Sequence, residues 1–283
     1  NIVIADLDRA PTNPDGRVEF SADLAILKPQ SSRGNDIALL DVVNRGGKTV
    51  MGNFNRAAAS ANFTSPEEIG NGLLMREGFT VVWVGWEFDL PQAESLMRIE
   101  VPGAVETAGM VRGVFTPASN GESYGVGDLT GYSPEDPSSA ENSLSVREHG
   151  ALVPIQRDRW QLAGNVVTLT GGFEPGRTYE LAYRAVNPPI GGLGFAAVRD
   201  TVAWIKHSPD ALASSKYAMT FGSSQSGRFL REFLYYGFNS DEENRQVFDG
   251  VMAHIAGAGR TELNRRWSTP TSVLMYAGTS FPF

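Results

Sequence analysis

Apolar positions near the start of the chain form nearly continuous runs, at residues 37–43 and again from residue 80 to 90. Such runs are typical of strands buried on both faces of a parallel sheet. Between them, Ser65 and Pro66 indicate the start of a helix and Gly78 its end. The succession strand, helix, strand predicts a βαβ unit with a right-handed crossover.

From about residue 90 to 187 the pattern changes to short alternating segments separated by Gly, Pro and Ser. This texture is typical of antiparallel β structure. We therefore predict three parts. Residues 1–89 form the first part of an α/β core, 90–187 a β-rich insertion, and 188–283 the rest of the core.

The α/β rhythm returns after the insertion. Four apolar residues follow helical spacing and predict a buried helix face: Phe195, Val198, Val202 and Ile205. A strand at 217–221 leads into a Gly-Ser turn, and a helix follows at about 226–236. The apolar residues 248–259 predict one more buried strand, and 271–279 a last strand.

The turn itself reads GSSQSG, residues 222–227. A nucleophilic serine is often presented on a strained strand-to-helix turn written G-x-S-x-G, with small residues two places before and after it. Only Ser224 meets this condition, with Gly222 before it and Ser226 after it. Ser223 and Ser226 each have a large residue at one of the two places. Ser224 is therefore the candidate nucleophile, although a serine replaces the final glycine of the pattern.

Two backbone segments are candidates for the oxyanion hole. The N–H of Gln225 lies at the start of the following helix, where the partial positive charge favours an anion. The second donor is expected after an earlier strand, in the segment Arg45–Gly46, where glycine lets the backbone approach a ligand. A turn of this kind is also common in proteins that bind phosphate or that use it only structurally. No Gly-Lys-[Ser/Thr] follows it, which disfavours a P-loop, and no G-x-G-x-x-G opens the first βα turn.

Composition narrows the function classes. The formal charge of −8 argues against nucleic acid as a partner, and the chain has no Cys and only three His. We therefore expect no metal and no cofactor. No run of about 18 apolar residues predicts a membrane span. A soluble domain is expected, and its compartment stays open, a secreted or periplasmic one included.

A longer stretch around the turn, GSSQSGRFLREFLYYGFN, resembles bacterial "alpha/beta hydrolase domain-containing" proteins that carry a G-x-S-Q-S-G-R-F-L-R signature. FDGVMAHIAGAGR and DVVNRGGK fit the same family. The resemblance implies an α/β-hydrolase fold, with a mostly parallel central sheet, and a serine esterase-like activity. Ser224 matches the elbow serine of the family, and residues 44–46 match the segment beside its oxyanion site.

The remaining catalytic groups are harder to place. Hydrolases of this fold order their triad as Ser, acid, His. After Ser224 the chain has one His, His254, in an apolar strand where a structural role is more common. We keep His254, Trp86 and Arg228 as candidates for the wall of the site. Asp249 is an alternative acid, although a capping or turn role is more common. We expect the catalytic His and the acid, with the C-terminal part of the fold, on polypeptide outside this chain.

The sequence therefore predicts a serine hydrolase that cleaves a small-molecule ester through an acyl-enzyme on Ser224. Acyl transfer to an acceptor other than water would use the same intermediate. The alternative is a non-catalytic fragment or subunit with a hydrolase fold, acting in binding or assembly. In either case a second chain or a C-terminal segment is expected to complete the fold.

Overall fold

The computed structural model describes residues 4–30, 33–58, 62–63, 65–259 and 263–272. The structure is rich in sheet and has few helices. Within these residues the chain forms two compact units: the first comprises 4–5, 19–101 and 191–265, and the second 6–18, 102–190 and 266–272. The domain limits proposed from sequence, at 89/90 and 187/188, stay a prediction. No helix of the described residues is both long and apolar enough to cross a membrane.

The first unit contains the α/β core. Numbered along the whole chain, its strands are β1 (Ser21–Ala22), β2 (Leu24–Leu27), β3 (Ile37–Val42), β4 (Thr80–Val84), β5 (Ile99–Glu100), β14 (Tyr217–Ser223) and β15 (Gly250–His254). Its helices are α1 (Val50–Asn55), α2 (Leu73–Arg76), α3 (Leu193–His207) and α4 (Gln225–Tyr235).

The main sheet of this unit has the strand order β15-β14-β3-β4-β2. β15, β14, β3 and β4 are parallel to one another, and β2 runs antiparallel to β4. The predicted mostly parallel sheet is thus confirmed. Because the carboxyl ends of parallel strands share one edge, the loops after β3, β4 and β14 meet there, and ligands of open α/β sheets bind at this edge.

The helix expected between residues 65 and 78 is broken. Ser65 and Glu68 do form a capping box, with N–H to side-chain oxygen distances of 3.0 and 3.4 Å. However, the chain makes only a 3-10 turn at Glu67–Ile69 before the short α2. Gly70 separates the two with a φ of 66°, and a Cβ there would lie 2.3 Å from the carbonyl oxygen of Asn55. Close packing against α1, a helix that the pattern did not predict, therefore stops the longer helix.

Helix α3 and strand β15 differ in how deeply they are buried. The four apolar residues predicted to face the core from α3 are all buried, as expected. The strand predicted at 248–259 is present as β15, but its predicted burial is wrong, because Met252, Ala253 and His254 are exposed. In the described part of the chain β15 pairs with β14 only, so it forms an edge of the sheet. Of the predicted last strand, residues 273–279 lie outside the described residues.

The second unit is antiparallel, as predicted for this region. Its strands are β6 (Ala108–Phe115), β7 (Gly121–Gly125), β8 (Ser133–Pro134), β9 (Ser143–Glu148), β10 (Ala151–Ile155), β11 (Trp160–Ala163), β12 (Val166–Phe173) and β13 (Tyr179–Val186). They form one sheet ordered β10-β9-β13-β6, with β8 beside β13, and a second ordered β11-β12-β7. Aromatic rings from both sheets pack together, with Phe115 5.4 Å from Phe173 and 5.5 Å from Tyr179 between centroids.

Candidate active site

Ser224 occupies the turn between β14 and α4 in a strained backbone conformation, with φ 55° and ψ −111°. A positive φ is uncommon for a residue other than glycine, and such strain is retained where the surrounding structure enforces it. Here the Ser224 N–H donates to the carbonyl oxygen of His254 at 3.0 Å, and the Arg228 N–H donates to the Ser224 carbonyl at 3.0 Å. This is the sharp strand-to-helix turn that the G-x-S-x-G pattern specifies.

The small residues around Ser224 have clear steric reasons. A Cβ on Gly222 would lie 2.6 Å from the carbonyl oxygen of Ser226, and one on Gly227 would lie 2.7 Å from that of His254. Ser226 is fully buried, and its hydroxyl donates to the carbonyl oxygen of Val43 at 3.0 Å. The serine that departs from the pattern therefore connects α4 to the end of β3.

The candidate oxyanion segment lies in residues 43–49, which we call the β3–α1 loop. Asn44 and Gly47 each donate a backbone N–H to the other's carbonyl at 2.9 Å, which closes a tight turn. Its two central residues, Arg45 and Gly46, have φ values of 47° and 74°. The Asn44 side-chain amide donates to the carbonyl oxygen of Ser223 at 2.9 Å. The loop is thus bound directly to the residue that precedes the candidate nucleophile.

A buried carboxyl group, that of Glu87, connects the middle of this loop to α4. It follows β4 and has 0 % exposure. Its Oε2 accepts a hydrogen bond from the Gly46 N–H at 2.9 Å, and its Oε1 accepts one from the Gln225 side-chain amide at 2.7 Å. Burial, with the nearby Asp89 carboxylate, raises the pKa of Glu87 to about 8. Glu87 is not among the site residues predicted from the sequence, although an acidic residue within a long apolar run was a usable signal.

A second buried carboxyl group, that of Asp41 on β3, holds the far end of the same loop. It is also fully buried, and it accepts hydrogen bonds from the Thr49 N–H at 2.6 Å, the Thr49 hydroxyl at 2.7 Å and the Val50 N–H at 2.7 Å. The Trp83 indole donates to it at 2.9 Å. Burial raises the pKa of Asp41, and these hydrogen bonds partly oppose the increase. Asp41 thereby fixes the entry into α1.

Trp86 supports the loop from the interior. It is 1 % exposed, its indole N–H donates to the Val43 carbonyl at 2.7 Å, and its ring packs 4.5 Å from that of Phe229. β4 ends at Val84, so Trp83 lies on the strand and Trp86 follows it, and both rings are buried. The place of Trp86 in the wall of the site stays a prediction.

His254 and Arg228 both lie beside the turn. The His254 side chain is exposed, with its Nδ1 3.3 Å from the hydroxyl of Ser223, and its ring stacks on Phe221. Arg228 is half-buried, and its buried Nε has no hydrogen-bond partner among the described residues. Their place in the wall of a site around Ser224 stays a prediction.

Asp249 lies at the opposite edge of the sheet. Its carboxylate accepts the Ala218 N–H at 2.8 Å and the Lys206 ammonium at 3.0 Å. Ala218 is at the start of β14, whereas Ser224 follows the end of that strand. The Asp249 carboxylate is therefore a structural partner at the amino edge, not an acid for Ser224. The described residues also contain no group of three or more His, Asp or Glu that could hold a metal ion.

A cavity of about 840 Å³ lies beside β1 and β2. Lys48, Leu96 and Arg98 line it, but Ser224 does not. Its size alone does not make it the reaction site, since the strained turn and the candidate oxyanion donors lie elsewhere. We therefore locate the candidate site at the turn.

Comparison with known families agrees with this geometry. A family model described as "Alpha/beta hydrolase domain" matches residues 131–282, more than half of the chain and including the whole Ser224 turn. The protein belongs to this alpha/beta hydrolase family, which confirms the alpha/beta hydrolase part of the family expectation and indicates a hydrolase. Comparisons with curated proteins and with solved structures gave no match.

Proposed function

We propose that this protein is a serine hydrolase that cleaves carboxylic esters, with Ser224 as its nucleophile. One observation carries the proposal. Ser224 has φ 55° and ψ −111°. In the same turn, a side chain at Gly222 or at Gly227 would collide with the backbone. A serine in such a conformation costs of order 1–3 kcal/mol. Family membership, together with this strained serine, favours nucleophilic catalysis over a simple structural turn.

In the proposed reaction the Ser224 hydroxyl attacks the ester carbonyl and gives up its proton to a base. The tetrahedral intermediate collapses to an acyl-enzyme as the alcohol leaves, and water then releases the acid. His254 makes its contact with Ser223, so we do not assign it as the base. The proposal assigns no base and no acid among the described residues.

The oxyanion would be stabilised from two sides. The Gln225 backbone N–H at the start of the 11-residue helix α4 is the first donor. The second comes from the segment Arg45–Gly46. Because the Gly46 N–H donates to Glu87, we assign this second donor to the Arg45 N–H. Loss of one such donor typically costs about 10²–10³ in rate.

The long signature around the turn supports the same proposal, since its residues make specific contacts that hold the turn in place. Gln225 reaches Glu87, and Ser226 reaches the end of β3. Gly227 packs against the backbone of β15, and Phe229 packs on the ring that supports the β3–α1 loop. A bacterial serine esterase-like group is the class that this signature favours.

One observation favours the alternative, a hydrolase-fold component without catalysis. The Ser224 hydroxyl makes no hydrogen bond to any other described residue, so no base is in contact with it there. Such a protein would use the same surface for binding or assembly. The two functions differ in the reactivity of Ser224, and this can be measured directly.

Treatment with a fluorophosphonate probe, followed by intact-mass and peptide analysis, tests the proposal. We expect one adduct, on Ser224, and none in Ser224→Ala. Hydrolysis of p-nitrophenyl butyrate should fall at least about 10³-fold in that variant. Ser223→Ala is the matched control, because it removes the adjacent hydroxyl, and it should still be labelled. Absence of any adduct on the wild-type protein would refute the catalytic function.

A further inference from the structure

We propose that Glu87 is a positioning residue of this hydrolase, whose buried carboxyl group holds the β3–α1 loop and the start of α4 in the arrangement that stabilises the oxyanion. The inference rests on the proposed function, since it concerns the same two backbone donors. Glu87 would not touch the substrate. It would act through Gly46 and Gln225.

The geometry of the carboxyl group carries the inference. Its two oxygens are used by two different segments: one accepts the Gly46 N–H at 2.9 Å, and the other accepts the Gln225 side-chain amide at 2.7 Å. Each of these residues belongs to, or directly follows, a proposed oxyanion donor. A planar carboxyl group bonded at both oxygens therefore sets the separation of the two donor segments. An error of about 1 Å in such a separation can cost about 10² in rate.

Other contacts between the same segments do not replace this link. The Asn44 amide bonds to Ser223, and the Ser226 hydroxyl bonds to Val43, so both act at the start of the loop. Glu87 is bonded to the middle of the loop, where Arg45 and Gly46 have positive φ values. The Glu87 oxygen thus fixes the Arg45–Gly46 peptide plane, and the Arg45 N–H belongs to the peptide plane directly before it.

Stability alone does not account for a carboxyl group at this position. Glu87 has no solvent exposure, and Asp89, 4 % exposed, lies close enough to add repulsion. Its hydrogen-bond donors at Gly46 and Gln225 are both neutral. Well-packed apolar residues are often at least as stable as buried charged groups. A buried acidic group beside a proposed nucleophile is, by contrast, a common feature of functional sites.

The test compares Glu87→Ala and Glu87→Gln with the wild type in the full chain. The first readout is inactivation by the fluorophosphonate probe, separated into a binding constant and a maximal rate. The second is amide hydrogen exchange of peptides that cover residues 43–47. Glu232→Ala is the matched control, since Glu232 is also a buried glutamate but lies about two turns further along α4.

We expect Glu87→Ala to lower the maximal rate of inactivation about 10²-fold and to leave the binding constant within about threefold. Exchange in residues 43–47 should become faster. Glu87→Gln keeps an acceptor oxygen and the side-chain length, so it should recover the rate to within about tenfold of wild type. Glu232→Ala should match the wild type. If Glu87→Ala does not fold, Glu87→Leu fills similar space without hydrogen bonds and carries the same expectation.

The outcomes separate the two proposals. Normal labelling of Ser224 in Glu87→Ala or Glu87→Leu would overturn the role of Glu87 and leave the serine hydrolase standing. A slow Glu87→Gln variant, no better than Glu87→Ala, would also overturn it, since hydrogen bonding would then not be the cause. No labelling of the wild-type protein would overturn the hydrolase, and the role of Glu87 in that reaction with it.

Discussion

Asp41 and Glu87 are two carboxyl groups of equal burial that hold one loop at different places. Asp41 accepts four hydrogen bonds, three of them from Thr49 and Val50 where the loop enters α1. Glu87 accepts two, one from Gly46 in the middle of the loop and one from the separate helix α4. The two carboxyl groups are therefore equally buried but differ in the number and position of their hydrogen-bond donors.

Removal of the two carboxyl groups should therefore have different consequences. The four donors to Asp41 lose their acceptor together when the carboxylate is removed, and buried unsatisfied donors are costly. Glu87 serves fewer donors, but it joins the β3–α1 loop to the start of α4, two segments that must keep a set distance for the proposed reaction. We infer that Asp41 contributes mainly to the stability of the core and Glu87 mainly to the geometry of the site.

The largest expected effect tests that inference directly. Asp41→Ala should lower the free energy of unfolding by about 3–5 kcal/mol, because it leaves four donors without a partner, and two of them, the Val50 N–H and the Trp83 indole, are buried. Urea denaturation measures this loss. Glu87→Ala should lose clearly less, since only two donors are affected. Equal losses in the two variants would show that the two carboxyl groups do not differ in the way proposed.

Proton binding gives a second difference, which depends on pH. The pKa of Glu87 is raised from 4.5 to about 8 in the folded protein, so the folded state binds this proton more tightly. The resulting stabilisation is complete below pH 4.5 and is lost as pH rises to about 8. Relative to Glu87→Gln, the wild type should lose about 1.4 kcal/mol per pH unit within this interval. Denaturation curves at a series of pH values measure the difference.

Asp249→Asn is the control for this pH series. Burial alone would raise the pKa of Asp249, but its hydrogen bonds from Ala218 and Lys206 hold it below its usual range. Its contribution to stability is therefore lost only as pH falls below the usual range of aspartate. The Asp249→Asn variant should therefore show the same change of unfolding free energy with pH as the wild type between pH 5 and 8. A flat difference between wild type and Glu87→Gln would contradict the raised pKa of Glu87.

The smallest effect concerns Ser226, the residue that departs from the G-x-S-x-G pattern. Ser226→Ala removes its hydrogen bond to Val43, while the Trp86 indole still donates to the same carbonyl. The free energy of unfolding should fall by about 1 kcal/mol. Labelling of Ser224 should stay within a few-fold of wild type, because Glu87 still joins the loop to α4. A loss of labelling as large as that in Glu87→Ala would give Ser226 the positioning role instead.

Much of the candidate site could be predicted because its signals are local. The strand-to-helix turn requires small residues at fixed offsets from the nucleophilic serine, so Ser224 could be selected from the three serines of the turn. The buried face of α3 could be predicted for the same reason, since helical spacing is a property of adjacent turns. The helix expected at 65–78 failed because Gly70 packs against α1, a contact that no local pattern contains.

Glu87 shows why the rest could not be predicted. Its residue type and its position after an apolar run are visible in the sequence, but its two partners are 41 and 138 positions away. β15 shows the same limit in another form. Its apolar composition predicted burial, yet in the described part of the chain it has a neighbour on one side only.

By itself the sequence determined the parallel strands of the core, the antiparallel character of the region predicted at about 90–187, and the serine held in the turn. These features follow from side-chain periodicity and from steric limits within a few residues. The tertiary structure decided which groups surround that serine. The β3–α1 loop, the segment after β4 and the start of α4 come from distant parts of the chain. They meet only because parallel strands place their carboxyl ends at one edge of the sheet.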